Sequence, residues 1–314
     1  MAARQIVVDP AAPGRFVIKD VEEPQPLPNQ AAVRVKAVSL NRGEVRYSMT
    51  APAGRRPGWD LAGVVEKAAA DGSGPKAGAR VVGLLNIGAW GERVAVPTNQ
   101  LAEIPDNVSF AQASTLPVAG LTALHSLYKG GFLVGKPVLI TGATGGTGEF
   151  VIQLAKLGGA RVVALSRSRE RERFLRDAGA DEIVIGEDVS PAAAFGPYPL
   201  IIDSVGGPQF GKVLTMLASR GVCVIFGTTA GAEPQIVANK FYSTGATTLY
   251  GLYLFTELAT EPASIGLRRL AELTSAGKLR ATIAVEEPWT KVADVAQALT
   301  ERKYVGKAVL HLDV

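Results

Sequence analysis

Four glycines fall within seven residues in Gly142-Ala-Thr-Gly145-Gly146-Thr-Gly148, directly behind the apolar run Val138-Leu139-Ile140. A glycine turn at the end of a buried strand lets the backbone bend sharply and approach a ligand, and a helix starting there offers free N–H groups to negative charge. Behind the turn, Glu149 to Leu157 carries apolar residues at Val151, Leu154 and Ala155, which is helix spacing, with Gly158 as a C-cap. The spacing Ala143-x-Gly145-x-x-Gly148 is a variant of the dinucleotide fingerprint with alanine at the first glycine position. The expected ligand is therefore a nicotinamide dinucleotide with its pyrophosphate on the turn. Gly130, Gly135 and Lys136 imitate a Walker A loop, but Pro137 stands where a magnesium-binding Ser or Thr is needed, and the match precedes the strand instead of following it.

A second strand, Arg161 to Leu165, leads into Ser166-Arg167-Ser168-Arg169. Proteins that prefer NAD place an acid near this point, about 20 residues past the turn, on the ribose 2′-hydroxyl. An acid would repel a 2′-phosphate, whereas a hydroxyl and a guanidinium bond it, so Ser166 and Arg167 point to NADPH. Further on, the Glu172–Arg176 spacing marks Arg173 and Arg176 as a solvated helix face.

Metal chemistry is poorly supplied. The chain has one cysteine, Cys223, in the apolar run Val222 to Phe226, and two histidines, His125 and His311. These cannot build a usual Cys/His zinc site, and Cys223 reads as a small core residue, so no metal is expected. The balance of 33 basic against 29 acidic residues argues against nucleic acid as a partner. No apolar stretch reaches membrane-spanning length and the amino terminus lacks a signal-peptide core, so a cytoplasmic protein without membrane contact is expected.

The elements around these residues divide the chain. Residues 1–118 read as short Val- and Ile-rich strands at 6–8, 16–19, 32–38, 62–67, 80–85 and 93–96, separated by Gly and Pro signals, which predicts a small barrel or sandwich. From residue 119 the rhythm becomes helix and strand in alternation, with strands at 138–141, 161–165, 183–185, 200–203 and 222–226, which predicts a doubly wound parallel sheet. The tail adds a helix over 263–275, a strand over 282–285, a helix over 292–302 and a strand over 307–312. The apolar stretch Ala246 to Leu252 predicts an edge strand that invites pairing.

In Ser39-Leu-Asn41, Pro57-Gly58-Trp59-Asp60-Leu61-Ala62-Gly63-Val64-Val65, Leu116-Pro117-Val118-Ala119-Gly120-Leu121-Thr122-Ala123, the turn Ala143 to Gly148, and Asp203-Ser204-Val205-Gly206-Gly207, the chain resembles the medium-chain dehydrogenase/reductase superfamily, in particular its zinc-free quinone-oxidoreductase branch. The resemblance implies an α/β protein: a GroES-like β-barrel domain from 1–118 completed by 257–314, and a Rossmann domain over 119–256 that binds the cofactor and pairs edge to edge in a homodimer. It implies that Asn41 and Thr122 lie near the nicotinamide, that Ala143, Thr144, Gly145, Gly146 and Thr147 form the pyrophosphate turn, and that Ser204, Val205, Phe226, Gly227 and Thr228 line the far side. Many relatives carry a tyrosine where this chain has Arg46, with Tyr47 one place later, and a tyrosine near the adenosine phosphate is replaced at Gly186.

The activity implied is NADPH-dependent hydride transfer to a quinone or an α,β-unsaturated carbonyl. Asn41, Arg46 and Tyr47 are the catalytic candidates, as donors to a carbonyl oxygen that gains charge. The glycine pattern Thr141-Gly142-x-x-x-Gly146-x-Gly148 also fits short-chain dehydrogenases, but their Tyr-x-x-x-Lys pair is absent. A cofactor-binding redox sensor, or a structural relative of the crystallin kind without turnover, is the alternative from another class.

Overall fold

The computed structural model describes residues 2–312. The chain forms two units, one running to Leu121 and resuming at Leu258, the other Thr122–Glu257.

In the first unit β1 (Ala2–Val8) and β2 (Phe16–Glu22) pair antiparallel. β3 (Gln30–Leu40), β4 (Asp60–Lys67), β5 (Arg80–Leu84), β6 (Arg93–Pro97) and β7 (Leu101–Glu103) follow. β3 organises them. Its first half alternates, with Ala31, Val33 and Val35 buried and Arg34 exposed, as a one-sided strand must. Its second half, Ala37–Leu40 apart from Ser39 an apolar run, is buried throughout. A short helix, Arg42–Ser48, leaves the end of β3; β7 and this helix were not expected from the sequence.

The second unit is a parallel sheet of β8 (Pro137–Ile140), β9 (Arg161–Ser166), β10 (Glu182–Ile185), β11 (Tyr198–Asp203), β12 (Leu217–Ile225) and β13 (Thr248–Gly251). Their spatial order is β10-β9-β8-β11-β12-β13. Val138, Leu139, Ile140, Val162 and Val163 are fully buried, as strands covered on both faces require. The order reverses between β8 and β11, the switch point where open parallel sheets bind ligands at their carboxyl ends. Between β10 and β11 the expected helix is only a 3₁₀ segment, Ser190–Phe195, because Pro191 holds its first turn and Pro197, two residues past its end, cannot continue it.

The chain then returns to the first unit through β14 (Ile283–Pro288) and β15 (Lys307–His311), giving the order β14-β15-β3-β4-β5-β7, with β6 also on β3. β3 is long enough for Gln30–Arg34 to pair with β6 and Ala37–Leu40 with β15. Trp90 and Trp289 anchor this unit's core, with Phe16 edge-on to Trp90 at 5.9 Å. The β-rich and doubly wound halves expected from the sequence are both present.

Candidate functional site

The glycine turn is fixed from below. At Gly142 the backbone turns left-handed (φ 59°), and a Cβ there would lie 2.1 Å from Ser204 Oγ. Gly145 N–H donates to Gly142 O at 3.0 Å and Gly145 caps the helix Gly146–Leu157. A Cβ at Gly148 would meet Gly142 O at 2.5 Å, so the helix packs directly on the turn. The left-handed residue is thus Gly142, one place before the expected alanine. Ala143 is fully buried, backbone included, so it lies beneath the open face of the turn. Gly145, Gly146 and Thr147 carry the open part of the turn. The first-turn N–H groups of a helix have no partner within it, which is the chemistry of an anion cradle.

Asp203, at the end of β11, ties this turn to its neighbours. Its buried carboxylate accepts from Thr141 Oγ1 (2.7 Å), Val205 N (3.0 Å) and Gly206 N (2.7 Å). Burial pushes its pKa up, while those three donors pull it back. Ser204 N–H donates to Thr141 Oγ1 at 3.2 Å across the switch point. Phe226 N–H donates to Asp203 O and Ala230 N–H to Val205 O, at 3.1 and 2.8 Å. Ser204 and Val205 lie against Gly142, and Phe226, Gly227 and Thr228 lie against the Asp203–Gly206 segment, all at the carboxyl end of the sheet. Asp203 appeared in the sequence only as part of a motif.

At the end of β9 the Ser166 hydroxyl donates to Ser168 O at 2.9 Å and accepts from Ser168 N. That hydroxyl is committed to its own turn, which leaves the expected 2′-phosphate contact to Arg167, an exposed side chain. Arg176 caps Ala180 O and Asp181 O, and Arg173 faces Asp177 at 3.7 Å, so the helix face pairs differently from the expected Glu172–Arg176 contact. Thr122 is the second residue of the helix Leu121–Tyr128 and is buried. His125 is buried in that helix, His311 pairs with Glu286 at 2.8 Å, and burial pushes the Cys223 thiol up, away from reactivity. Among the described residues no group of three or more His, Cys, Asp or Glu could hold a metal ion.

In the first unit Asn41 sits in a buried charge cluster built by strand register. Ala37 pairs with Ala62, which brings Ser39 opposite Asp60, and Ala308 pairs with Leu40, which brings Lys307 beside Asn41. Asn41 Nδ2 donates to Asp60 Oδ2 (2.7 Å) and to Glu44 Oε1 (3.0 Å), and Lys307 Nζ donates to Asn41 Oδ1 (2.6 Å) and Leu40 O (3.1 Å). Ser39 Oγ and Val118 N–H also donate to Asp60, and the backbone N–H groups of Asn41 and Trp59 to Glu44. Lys307 Nζ lies 3.6 Å from Asp60 Oδ2. Glu44, Asp60 and Lys307 are almost fully buried. Burial and the neighbouring Asp60 push Glu44 well above the usual carboxylate range, and burial pulls Lys307 down.

The cluster corrects one expectation. Both N–H bonds of the Asn41 amide are spent on carboxylates, so Asn41 has no donor left for a substrate carbonyl. What remains is one lone pair on Oδ1, an acceptor. Arg46 and Tyr47 remain as donors, both exposed, with Arg55 Cζ stacked 4.2 Å from the Tyr47 ring centroid. Lys307, Glu44 and Arg55 escaped the sequence reading. Glu44 had a signal, the Asn-x-x-Glu pattern of a capping box, whereas Lys307 looked like the solvated first residue of a strand.

Residues 27–106 match the alcohol dehydrogenase GroES-like domain and residues 146–272 the zinc-binding dehydrogenase domain. The chain is 30% identical to a 2-methylene-furan-3-one reductase of Solanum lycopersicum over 94% of its own length and 73% of that protein. It is 28% identical to quinone oxidoreductase-like protein 2 of Bos taurus, covering 95% and 89% of the two chains. A mycobacterial protein solved in complex with NADPH superposes with a TM-score of 0.86 at 26% identity, over 98% of this chain and 99% of that one. The chain belongs to the medium-chain dehydrogenase/reductase superfamily, in its zinc-free, quinone oxidoreductase-like branch.

Proposed function

We propose that this oxidoreductase uses NADPH to reduce a quinone or an α,β-unsaturated carbonyl, without a metal. The observation that carries the reading is the glycine turn locked at the switch point by Ser204 and Asp203, with arginine and not an acid at the end of β9. These residues fit a dinucleotide phosphate: a side-chain-free rim at Gly145 and Gly146, helix N–H groups for the pyrophosphate, and Arg167 for the 2′-phosphate. Bound there, the cofactor supplies the hydride. The relatives' names favour the substrate class, one being a reductase of a ketone conjugated to a methylene and another quinone oxidoreductase-like.

The chain's own part is orientation and charge. Asn41, held on three sides, offers a fixed acceptor for an N–H or hydroxyl of the nicotinamide ribose or carboxamide. Arg46 and Tyr47 supply donors for the carbonyl oxygen as it gains charge, where each well-placed donor is worth about 2.7–4 kcal/mol of barrier.

The test is substrate-dependent NADPH oxidation across a panel of quinones and enones, before and after dialysis against a chelator. Turnover that survives chelation is expected. Cofactor binding with no turnover on the panel would return the chain to a redox sensor, and stoichiometric zinc in the purified protein would overturn metal independence.

A further inference from the structure

The stretch that includes Asn41 is unusually cationic at its surface. Residues 41–60 contain Arg42, Arg46, Arg55 and Arg56 against Glu44 and Asp60, and both acids are sealed in the buried cluster. Elsewhere in the same unit Arg4, Arg34, Arg80, Arg93 and Arg269 each face a carboxylate. Among the described residues Arg46, Arg55 and Arg56 form no ion pair. Arg55 is half-buried and held over the Tyr47 ring at 4.2 Å, yet its Nε–H has no hydrogen-bond partner. Tyr47 is 56% exposed, so the stacked pair stands at the surface, and exposed Arg46 precedes Tyr47 on the same short helix.

A guanidinium anchored on an aromatic face loses little freedom on binding and presents its fork ready for an oxyanion. A shielded N–H without an acceptor is a cost that native proteins rarely carry unless something else satisfies it. Uncompensated like charges on neighbouring side chains also raise the affinity for an anion that bridges them.

We infer that the substrate carries an anionic oxygen group, carboxylate or phosphate, recognised by Arg46 and Arg55 beside Tyr47. The inference deepens the proposed reductase reading and rests on it. It moves Arg46 from the reacting carbonyl to the anion: Tyr47 alone is then the donor for the carbonyl, and the arginines hold the far end of the molecule.

Three enals with the same reacting group test this: cinnamaldehyde, its 4-carboxylate and its 4-phosphate ester. In NADPH oxidation at low ionic strength, kcat/KM for at least one anionic enal should exceed that for cinnamaldehyde tenfold or more, and the carboxylate and phosphate arms tell which group is preferred. The ratio should shrink toward one as salt rises and in Arg46→Gln or Arg55→Gln, and Arg46→Lys should keep part of it. A ratio at or below one in the unmutated protein, or a ratio that neither glutamine variant lowers, overturns the inference. Should no enal turn over, calorimetric titration of cinnamaldehyde and its 4-carboxylate decides. An arginine-dependent preference for the anion upholds the inference and sinks only the reductase reading; equal or undetectable binding sinks the inference.

Discussion

Lys307 Nζ donates to Asn41 Oδ1 at 2.6 Å, joining the first residue of β15 to the residue that follows β3. The amide cannot be turned over, because its oxygen faces an ammonium and its nitrogen faces two carboxylates. One ammonium serves both acids. Lys307→Met should therefore cost about 3–5 kcal/mol in urea unfolding, the usual result of removing one partner from a buried ionic set. Lys307→Met with Asp60→Asn should recover most of the loss, since the uncompensated charge goes with it. A single variant as stable as the parent would show that the cluster does not depend on its cation.

Glu44 gives the molecule an unusual pH dependence. Burial and Asp60 raise its folded pKa well above the ordinary glutamate value, so its contribution to stability is fully present below that ordinary value, about 4.3, and is lost as pH rises through the folded value. The stability difference between the parent and Glu44→Gln should be largest in acid and narrow as pH rises. Glu66 behaves oppositely: hydrogen bonds from Arg93 and Arg34 outweigh the upward push of burial, and its contribution is lost on acidification. Urea midpoints for parent and variant from pH 4 to 8 read the difference directly, and a difference that grows with pH would reverse the assignment.

What the sequence could show depends on whether a signal is local. Val138 to Gly148 spells strand, turn and helix in eleven adjacent residues, so a turn at the carboxyl end of a buried strand is readable there. The contact between Lys307 and Asn41 depends on the register Ala308 to Leu40, which no spacing announces, because the two strands lie at opposite ends of the chain. For a related reason the sequence does not say where the Ser166 hydroxyl points: a serine two residues before another can spend it on the intervening turn, as Ser166 does here. Asn41 was read as a donor because its type allows it, and only the two carboxylates around it show that the capacity is used.

β13 is the outer strand of its sheet, and from Ile225 to Gly251 no residue is buried. The helix Ala238–Ser243 reaches its unit's core through half-buried Phe241, and β13 pairs with β12 on one side only, which leaves its other side open. An open edge flanked by exposed Tyr242, Leu249 and Tyr253 is what a second copy of the chain would cover. Light scattering at micromolar concentration should give a dimer, and Leu249→Lys should shift it toward monomer. A monomeric parent would show that the edge is simply solvated.

Cofactor preference turns on Arg167. Ser166 is held by Ser168, so the proposed contact to a 2′-phosphate rests on one exposed guanidinium just past the end of β9. A charge-assisted hydrogen bond contributes roughly 1.5–3 kcal/mol, and about 1.4 kcal/mol is tenfold in affinity. Solvent screening at an exposed site reduces that, so NADPH should bind about ten- to a hundredfold more tightly than NADH. Arg167→Ala should weaken NADPH toward the NADH value and leave NADH nearly unchanged, and the preference should shrink as salt rises. Fluorescence titration of both cofactors with parent and variant provides the measurement. Equal affinities in the parent would return Arg167 to the solvated face that Arg173 and Arg176 already occupy.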